Sequence, residues 1–178
     1  MKRIILSLLL VGLSFQTIQA QENLTYQLPD AAILNLADAP LPPSVVADNK
    51  GENAFFFYRS RYKSIAELSE TEMRLGGLRI NPKTNINSRQ AYSEKITFFD
   101  LKSGKEREIV GLPTNGRFAN ALWNRAQTKM AFTNTTENGV ELWVVDTKTA
   151  QAKQLTKYHL NANLGRPFTW MGDGETLL

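Results

Sequence analysis

Few residues of this chain are of the types that perform acid–base or nucleophilic chemistry. The 178-residue sequence has no cysteine and a single histidine, His159. The absence of cysteine excludes thiol nucleophiles, disulfides and cysteine-based zinc sites. A Ser-His-Asp arrangement would need His159 as its base, and the sequence places no nucleophile or orienting group beside it. Because His159 lies in a polar stretch between predicted strands, we expect it to be an ordinary surface residue.

The carboxylates that lie closest together in sequence are Glu67, Glu70 and Glu72. Ser64 and Glu67 have the spacing of a helix capping box, and acidic residues suit the first turn of a helix. We therefore interpret these carboxylates as a helix start with a solvated face, and not as an acid–base pair.

Two further motifs have a structural interpretation that outweighs the functional one. Gly172 and Gly174 are not followed by a helical pattern, so they indicate a turn and not a phosphate-binding loop. The stretch Asn134-Thr135-Thr136 fits a glycosylation acceptor, but a turn before Gly139 is the better interpretation. The sequence therefore predicts no catalytic residue, no cofactor and no metal site.

Arg166 is the one charged residue for which position suggests a role. It precedes Pro167 at a predicted junction between repeated units, and a guanidinium group there could face a central channel. Such a group can bind a carboxylate through paired hydrogen bonds. We take Arg166 as a candidate contact to an acidic side chain of a peptide substrate.

The first 20 residues have the layout of a secretory signal peptide. Lys2 and Arg3 precede an apolar run over residues 4–15, and Ala20 is a small residue at the expected cleavage point. A membrane anchor is the alternative, but a spanning helix needs roughly 20 apolar residues. We expect residues 1–20 to be removed and the mature protein to be periplasmic or secreted, with no membrane association after cleavage.

The net charge gives no support for binding nucleic acid. The formal charge of +4 falls to +2 once Lys2 and Arg3 are removed, and the remaining basic residues are scattered along the chain. A mild, unclustered excess affects solubility more than partner choice. We therefore expect no nucleic-acid partner.

The mature sequence starts with a lead-in over residues 21–43. It carries a weakly helical apolar set and ends in three prolines, which stop any regular element. From residue 44 the pattern becomes that of short strands, including the aromatic run over residues 54–58. Residues 64–78 interrupt this pattern, and we predict a short helical insertion that ends at Gly76-Gly77.

Two predicted hairpins resemble each other closely. In each, an apolar strand ends in an aspartate, Asp100 or Asp146, and a lysine-bearing polar turn leads into a basic strand. Trp123 and Trp170 also stand at matching places, 47 residues apart, and a period of about 40 to 50 residues is usual for four-stranded propeller blades. A β-sandwich is the alternative fold.

The predicted fold class is therefore all-β, a partial β-propeller with a short helical insertion. Residues 44–178 would supply about two and a half blades, whereas a closed ring needs about four to eight. We expect this incomplete domain to need further blades, although a small open sheet that caps its own ends is an alternative.

Several phrases of the sequence resemble the N-terminal part of prolyl oligopeptidase-family serine peptidases, and in particular their glutamyl-endopeptidase-like branch. The matching phrases lie at residues 27–29, 36–41, 43–45, 62–68, 75–82, 140–144 and 161–168. The resemblance implies a propeller that covers a C-terminal α/β-hydrolase domain and filters the access of peptides to it. That domain would carry the catalytic serine, aspartate and histidine, none of which has a matching position here. The sequence likewise contains no Gly-x-Ser-x-Gly motif.

We accordingly expect this chain to be the propeller portion of an exported serine peptidase. The complete protein would hydrolyse peptide bonds, and membership of the glutamyl-endopeptidase-like branch would imply cleavage after glutamate. The chain alone is predicted to be inactive and to need the hydrolase domain as a partner. The alternative is a non-enzymatic binding module whose open sheet edge pairs with another chain.

Overall fold

The computed structural model describes residues 26–157 and 159–178. The signal peptide predicted for residues 1–20 lies outside this part of the chain. Among the described residues, 26–39 and 40–178 belong to two separate units. In the first unit, helix α1 (Ala31–Ala37) confirms the helical pattern predicted for the lead-in. The backbone carbonyl of Asp30 accepts from Ile33 and Leu34 at its start, and the prolines that follow Ala39 cannot continue a helix.

The second unit contains two four-stranded antiparallel sheets and confirms the propeller-like all-β fold. The first sheet has the order β1-β2-β6-β7, with β1 (Ser44–Ala47), β2 (Asn53–Tyr58), β6 (Lys95–Asp100) and β7 (Lys105–Glu108). The second has the order β8-β9-β10-β11, with β8 (Phe118–Trp123), β9 (Lys129–Thr135), β10 (Val140–Asp146) and β11 (Gln151–Gln154). Each sheet takes its strands in chain order, as a propeller blade does.

A third blade begins after the second four-stranded sheet. Trp170 and Leu177 form an antiparallel bridge, and the backbone groups of Thr169 and Leu178 exchange two hydrogen bonds of 3.0 Å. Phe168 is buried against Ala131 and Leu142 of the second sheet. The described residues therefore contain two blades and the first hairpin of a third.

The two complete blades share one hydrophobic core. The first blade contributes Phe55, Phe57, Ile96, Phe98 and Ile109, and the second contributes Phe118, Met130, Phe132 and Val145. Strand β9 is buried along nearly its whole length, as expected of a strand covered on both faces. Packing between the blades, more than the pairing within either one, removes these side chains from water.

The resemblance between the two hairpins has a common cause. Asp100 Oδ1 accepts from the backbone N–H groups of Lys102 and Ser103 at 2.9 and 3.0 Å. Asp146 Oδ1 accepts from those of Lys148 and Thr149 at 2.9 and 3.1 Å. A carboxylate that bonds the backbone two and three residues ahead holds a tight turn, so the predicted equivalence of the two aspartates is confirmed.

The insertion between β2 and β6 is only partly helical, and the prediction of a helix up to Gly76-Gly77 was wrong. Helix α2 (Ile65–Leu68) spans four residues and is followed by a small sheet of order β3-β4-β5, formed by β3 (Met73–Leu75), β4 (Leu78–Asn81) and β5 (Ile86–Asn87). Ser64 caps α2 as predicted, because its hydroxyl accepts from the backbone of Glu67 at 3.1 Å. The glycine pair joins β3 to β4, and its φ angles of 55° and 88° suit a two-residue hairpin turn.

The outer strand of the first blade is linked to that of the second. Val110, just beyond β7, forms a parallel bridge to Gln151, with hydrogen bonds to the backbone of Ala150 and Ala152. Strand β7 has the sequence Lys-Glu-Arg-Glu, and all four residues are exposed. Among the described residues, no helix is long and apolar enough to cross a membrane.

Candidate binding cleft

A cleft of about 830 Å³ opens at the end of the blades where β2 ends and β8 begins. One wall is formed by side chains between Arg59 and Glu70. They belong to residues 59–72, which we call the strap; this segment follows β2 and includes α2. The opposite wall is formed by the connection at residues 113–117, which leads into β8, and by residues 134–137, which comprise the end of β9 and the start of the turn after it. The floor includes Tyr92, which is half-buried.

Arg117 stands at the centre of the polar contacts in the cleft. Its Nη1 and Nη2 donate to the two carboxylate oxygens of Glu70 at 2.7 and 3.4 Å, and its guanidinium lies 4.2 Å from the centre of the Tyr92 ring. Its backbone N–H donates to Asn134 Oδ1 at 3.0 Å. Asn81 Nδ2 donates to Glu70 at 2.8 Å, so Arg117 joins the insertion to the second blade.

The surroundings of Arg117 change two pKa values. Burial raises the pKa of the Tyr92 phenol, although the nearby guanidinium acts in the opposite direction. Burial opposes the charged form of Arg117, but the hydrogen bond to Glu70 and the electrostatic attraction of Tyr92, Glu70 and Glu67 together outweigh it and raise the pKa of the guanidinium. Tyr92 is therefore neutral and Arg117 charged at physiological pH.

The rim of the cleft carries charges of both signs. Arg59, Arg61 and Lys63 alternate along the strap, and Lys63 pairs with Glu67 at 3.2 Å. Ser60 Oγ donates to Glu94 at 2.8 Å. Such a surface suits a polar ligand, and the arrangement supplies charge and hydrogen bonds without an evident nucleophile.

The three carboxylates expected on a single helix face have different surroundings, and that expectation was wrong for two of them. Glu67 lies in α2, but Glu70 pairs with Arg117, and Glu72 lies between Arg74 and Arg79 at 2.9 and 2.8 Å. The Ser88 hydroxyl, which donates to Glu72 at 2.6 Å, and the two arginines lower the pKa of Glu72 to about 2. The chain departs from a helix after Leu68, so these side chains reach the small sheet and the second blade.

Arg166 lies outside the lining of the cleft, in the exposed connection after β11. Its Nε donates to the carbonyl of Phe168 at 3.3 Å, and its guanidinium lies 6.0 Å from the centre of the Phe168 ring. His159 is exposed and covers Gly139, where a Cβ would overlap its ring.

The other motifs have structural roles. Gly174 has a φ of 71° in a turn that Asp173 holds by accepting from the backbone of Glu175 and Thr176, both at 2.9 Å. Asn134 is buried within β9, where Nδ2 donates to Glu141 at 3.0 Å, so its amide is not presented as a glycan acceptor. No group of three or more histidine, aspartate or glutamate side chains among residues 26–157 and 159–178 is placed to hold a metal ion.

Sequence reasoning missed Arg117 and Tyr92. Arg117 and Glu70 are 47 residues apart, and no local pattern marks either residue. Only the folding of the insertion against the second blade brings them together.

Comparison with known proteins relates this chain to peptidases. No protein-family model matches the sequence. The chain is 29% identical over 165 residues to a probable chloroplastic glutamyl endopeptidase of Arabidopsis thaliana, and 25% identical over 166 residues to one of Oryza sativa subsp. japonica. Each match covers 86% of this chain but only 17% and 18% of the relative, so the chain spans less than a fifth of their length.

One solved structure, a putative dipeptidyl aminopeptidase IV from Bacteroides ovatus, aligns with 72% of this chain and 19% of its own. The TM-score is 0.42 and the sequence identity 13%.

Proposed function

We propose that this chain is the propeller portion of an exported serine peptidase of the prolyl oligopeptidase family, whose catalytic α/β-hydrolase domain belongs to a part of the protein outside this sequence. The observation that carries the proposal is the similarity to proteins named as glutamyl endopeptidases, which extends over 86% of the chain. A blade architecture that supplies a polar cleft but no Gly-x-Ser-x-Gly motif fits an accessory role in such an enzyme.

The proposal is tested with the complete product of the gene that contains this sequence. We expect it to react with a serine-directed fluorophosphonate probe and to cleave peptides after glutamate faster than after glutamine or alanine. The 178-residue chain, assayed in parallel, is expected to do neither. A complete product that the probe does not label, or labelling of the 178-residue chain itself, would contradict the assignment.

Within this proposal, Arg166 contributes to the preference for acidic peptides. Its guanidinium is exposed and makes one backbone hydrogen bond of 3.3 Å, so most of its donors can face a ligand. In the complete protein, Arg166→Ala should reduce cleavage of glutamate peptides relative to alanine peptides. Arg125→Ala is the matched control, because Arg125 is exposed in the β8–β9 turn at the other end of the blade. Equal ratios in the two variants would end the idea.

The proposed enzyme is exported through the signal peptide of residues 1–20 to a periplasm or to the medium. The chloroplastic relatives are compatible with an exported or organelle-targeted protein. We expect N-terminal sequencing of the mature protein to begin at Gln21, and a mature protein that retains Met1 would contradict export by cleavage.

The alternative of a binding module that adds a strand to its open sheet edge is less favoured. Of the four edge strands of the two large sheets, β7 and β11 carry mainly exposed charged and amide side chains, which discourage pairing with another chain.

A further inference from the structure

The strap, like the β3–β4 hairpin turn that follows it, is largely exposed. None of residues 59–72, all of which the structure describes, is buried, and Tyr62, Ile65 and Leu68 are between 66% and 87% exposed. By contrast, the later part of the insertion is anchored by Ile86, which is buried with Val140 and Ala162. The strap therefore has little apolar burial to hold it in place.

Polar contacts hold the strap instead. Glu70 joins it to Arg117 on the opposite wall at 2.7 Å, and both side chains are about one-third exposed or less. Ser60 donates to Glu94 at 2.8 Å, and Lys63 Nζ donates to the Gln90 carbonyl at 3.5 Å. Glu72, at the C-terminal end of the strap, pairs with Arg79 of β4 at 2.8 Å. Of the contacts that span the cleft, the paired bond between Glu70 and Arg117 has the geometry of a strong ion pair.

Backbone hydrogen bonds hold the two ends of the insertion to the blades. The backbone N–H of Glu94 donates to the Tyr58 carbonyl at 2.8 Å, and Ser93 exchanges two backbone hydrogen bonds with Phe118 at 2.9 and 2.8 Å. A segment that starts and ends on rigid strands, and that lacks its own buried side chains, can open without unfolding the blades.

We propose that residues 59–72 are a gate over the cleft, and that the Glu70–Arg117 pair is the latch that keeps it closed. Opening breaks this ion pair and widens access to the space above Tyr92. The gate is a property of this chain by itself and does not depend on peptidase activity.

Limited proteolysis of the full chain tests the gate, since Arg59, Arg61 and Lys63 make the strap a trypsin substrate when it opens. When reclosing is fast relative to cleavage, the rate of cleavage follows the open population. Glu70→Ala should raise the rate of cutting at residues 59–63 about five- to twentyfold. Glu137→Ala removes an exposed carboxylate from the cleft rim and should change it less than twofold.

Salt supplies a second readout that needs no variant. Added salt weakens a partly exposed ion pair, so hydrogen exchange of the strap amides should accelerate several-fold between 20 and 500 mM NaCl. The amides of β9 exchange through global unfolding, so their exchange rates should not change with salt and serve as the control. Strap exchange that salt leaves unchanged, equal trypsin rates for Glu70→Ala and Glu137→Ala, or first cuts outside residues 59–63 would each overturn the proposal.

Discussion

The indole N–H of Trp170 donates to the backbone carbonyl of Leu122 at 3.0 Å, across the boundary between the second and third blades. Trp123 makes the same bond to the carbonyl of Val46 at 3.3 Å, across the boundary between the first and second. Each tryptophan thus attaches its own blade to the first strand of the preceding blade. The 47-residue spacing of the two residues reflects this repeated contact.

Replacing Trp123 with phenylalanine should therefore loosen the boundary between the blades. The variant keeps an aromatic ring near Phe55, which lies 5.0 Å from Trp123, but loses the indole donor. We expect a loss of about 1–2 kcal/mol in the free energy of unfolding, from one hydrogen bond and some packing volume. Urea unfolding followed by circular dichroism measures this change in the free energy of unfolding.

The control is Trp143→Phe, because the Trp143 indole donates to Glu141 in its own strand at 2.9 Å and not to another blade. A loss of stability in Trp143→Phe as large as that in Trp123→Phe would show that the hydrogen bond between blades adds nothing to stability beyond a bond within one strand.

A methyl group at Gly116 should be strongly unfavourable. A Cβ there would overlap the ring atoms of Phe118, which is 2% exposed and belongs to the shared core. We expect Gly116→Ala to cost about 1–3 kcal/mol through overpacking. Thermal unfolding measures the change.

Gly172→Ala is the matched control, since its added methyl group would meet no atom within 4 Å. It should leave stability within about 0.5 kcal/mol of the parent. If both variants unfold at the same temperature, the packing of Phe118 over Gly116 is not as described.

The ionisation of Glu72 should make the small sheet sensitive to acid. Folding lowers the pKa of this carboxyl from 4.5 to about 2, through bonds from Ser88 and then Arg74 and Arg79. The ionised form therefore stabilises the sheet fully above pH 4.5, and this contribution is lost as the pH falls towards 2. Carboxyl NMR should show Glu72 titrating well below the ordinary glutamate value of 4.5.

Glu72→Gln should remove that titration and make the amide shifts of β3–β5 independent of pH between 4.5 and 2. An ordinary titration of Glu72 near pH 4.5 in the parent chain would contradict the network.

Asn134 should be needed for the fit between β8 and β9. Removing its side chain leaves the backbone N–H of Arg117 and the carboxylate of Glu141 each without one hydrogen-bond partner. We expect Asn134→Ala to cost about 1–3 kcal/mol, measured by urea unfolding. The exposed Asn138→Ala should have a much smaller effect, and similar losses in both would refute the role of Asn134.

The parts of the fold that the sequence predicted are those set by local chemistry. The hairpins at Asp100 and Asp146 follow from a carboxylate that bonds the backbone within three residues, and Ser64 caps α2 through the same kind of local bond. The Gly76-Gly77 pair was misinterpreted because it suits both a helix end and a hairpin turn. The choice depends on whether Leu75 and Leu78 pair, which local spacing does not decide.

The candidate cleft could not be predicted because its contacts join distant residues. Glu70 and Arg117 meet only after the insertion folds back onto the second blade, and each has ordinary sequence neighbours. Arg166, selected on its position alone, instead lies outside the cleft lining.

The bridge between Val110 and Gln151 has a consequence during synthesis on the ribosome. Val110 must wait for Ala150 and Ala152 to emerge, about 40 residues later, which takes roughly 2–8 s at translation rates of about 5–20 residues per second. For that time the outer edge of the first sheet is open to other nascent chains. The four exposed charged side chains of β7 stand on this edge, where they discourage pairing with those chains both before and after the bridge forms.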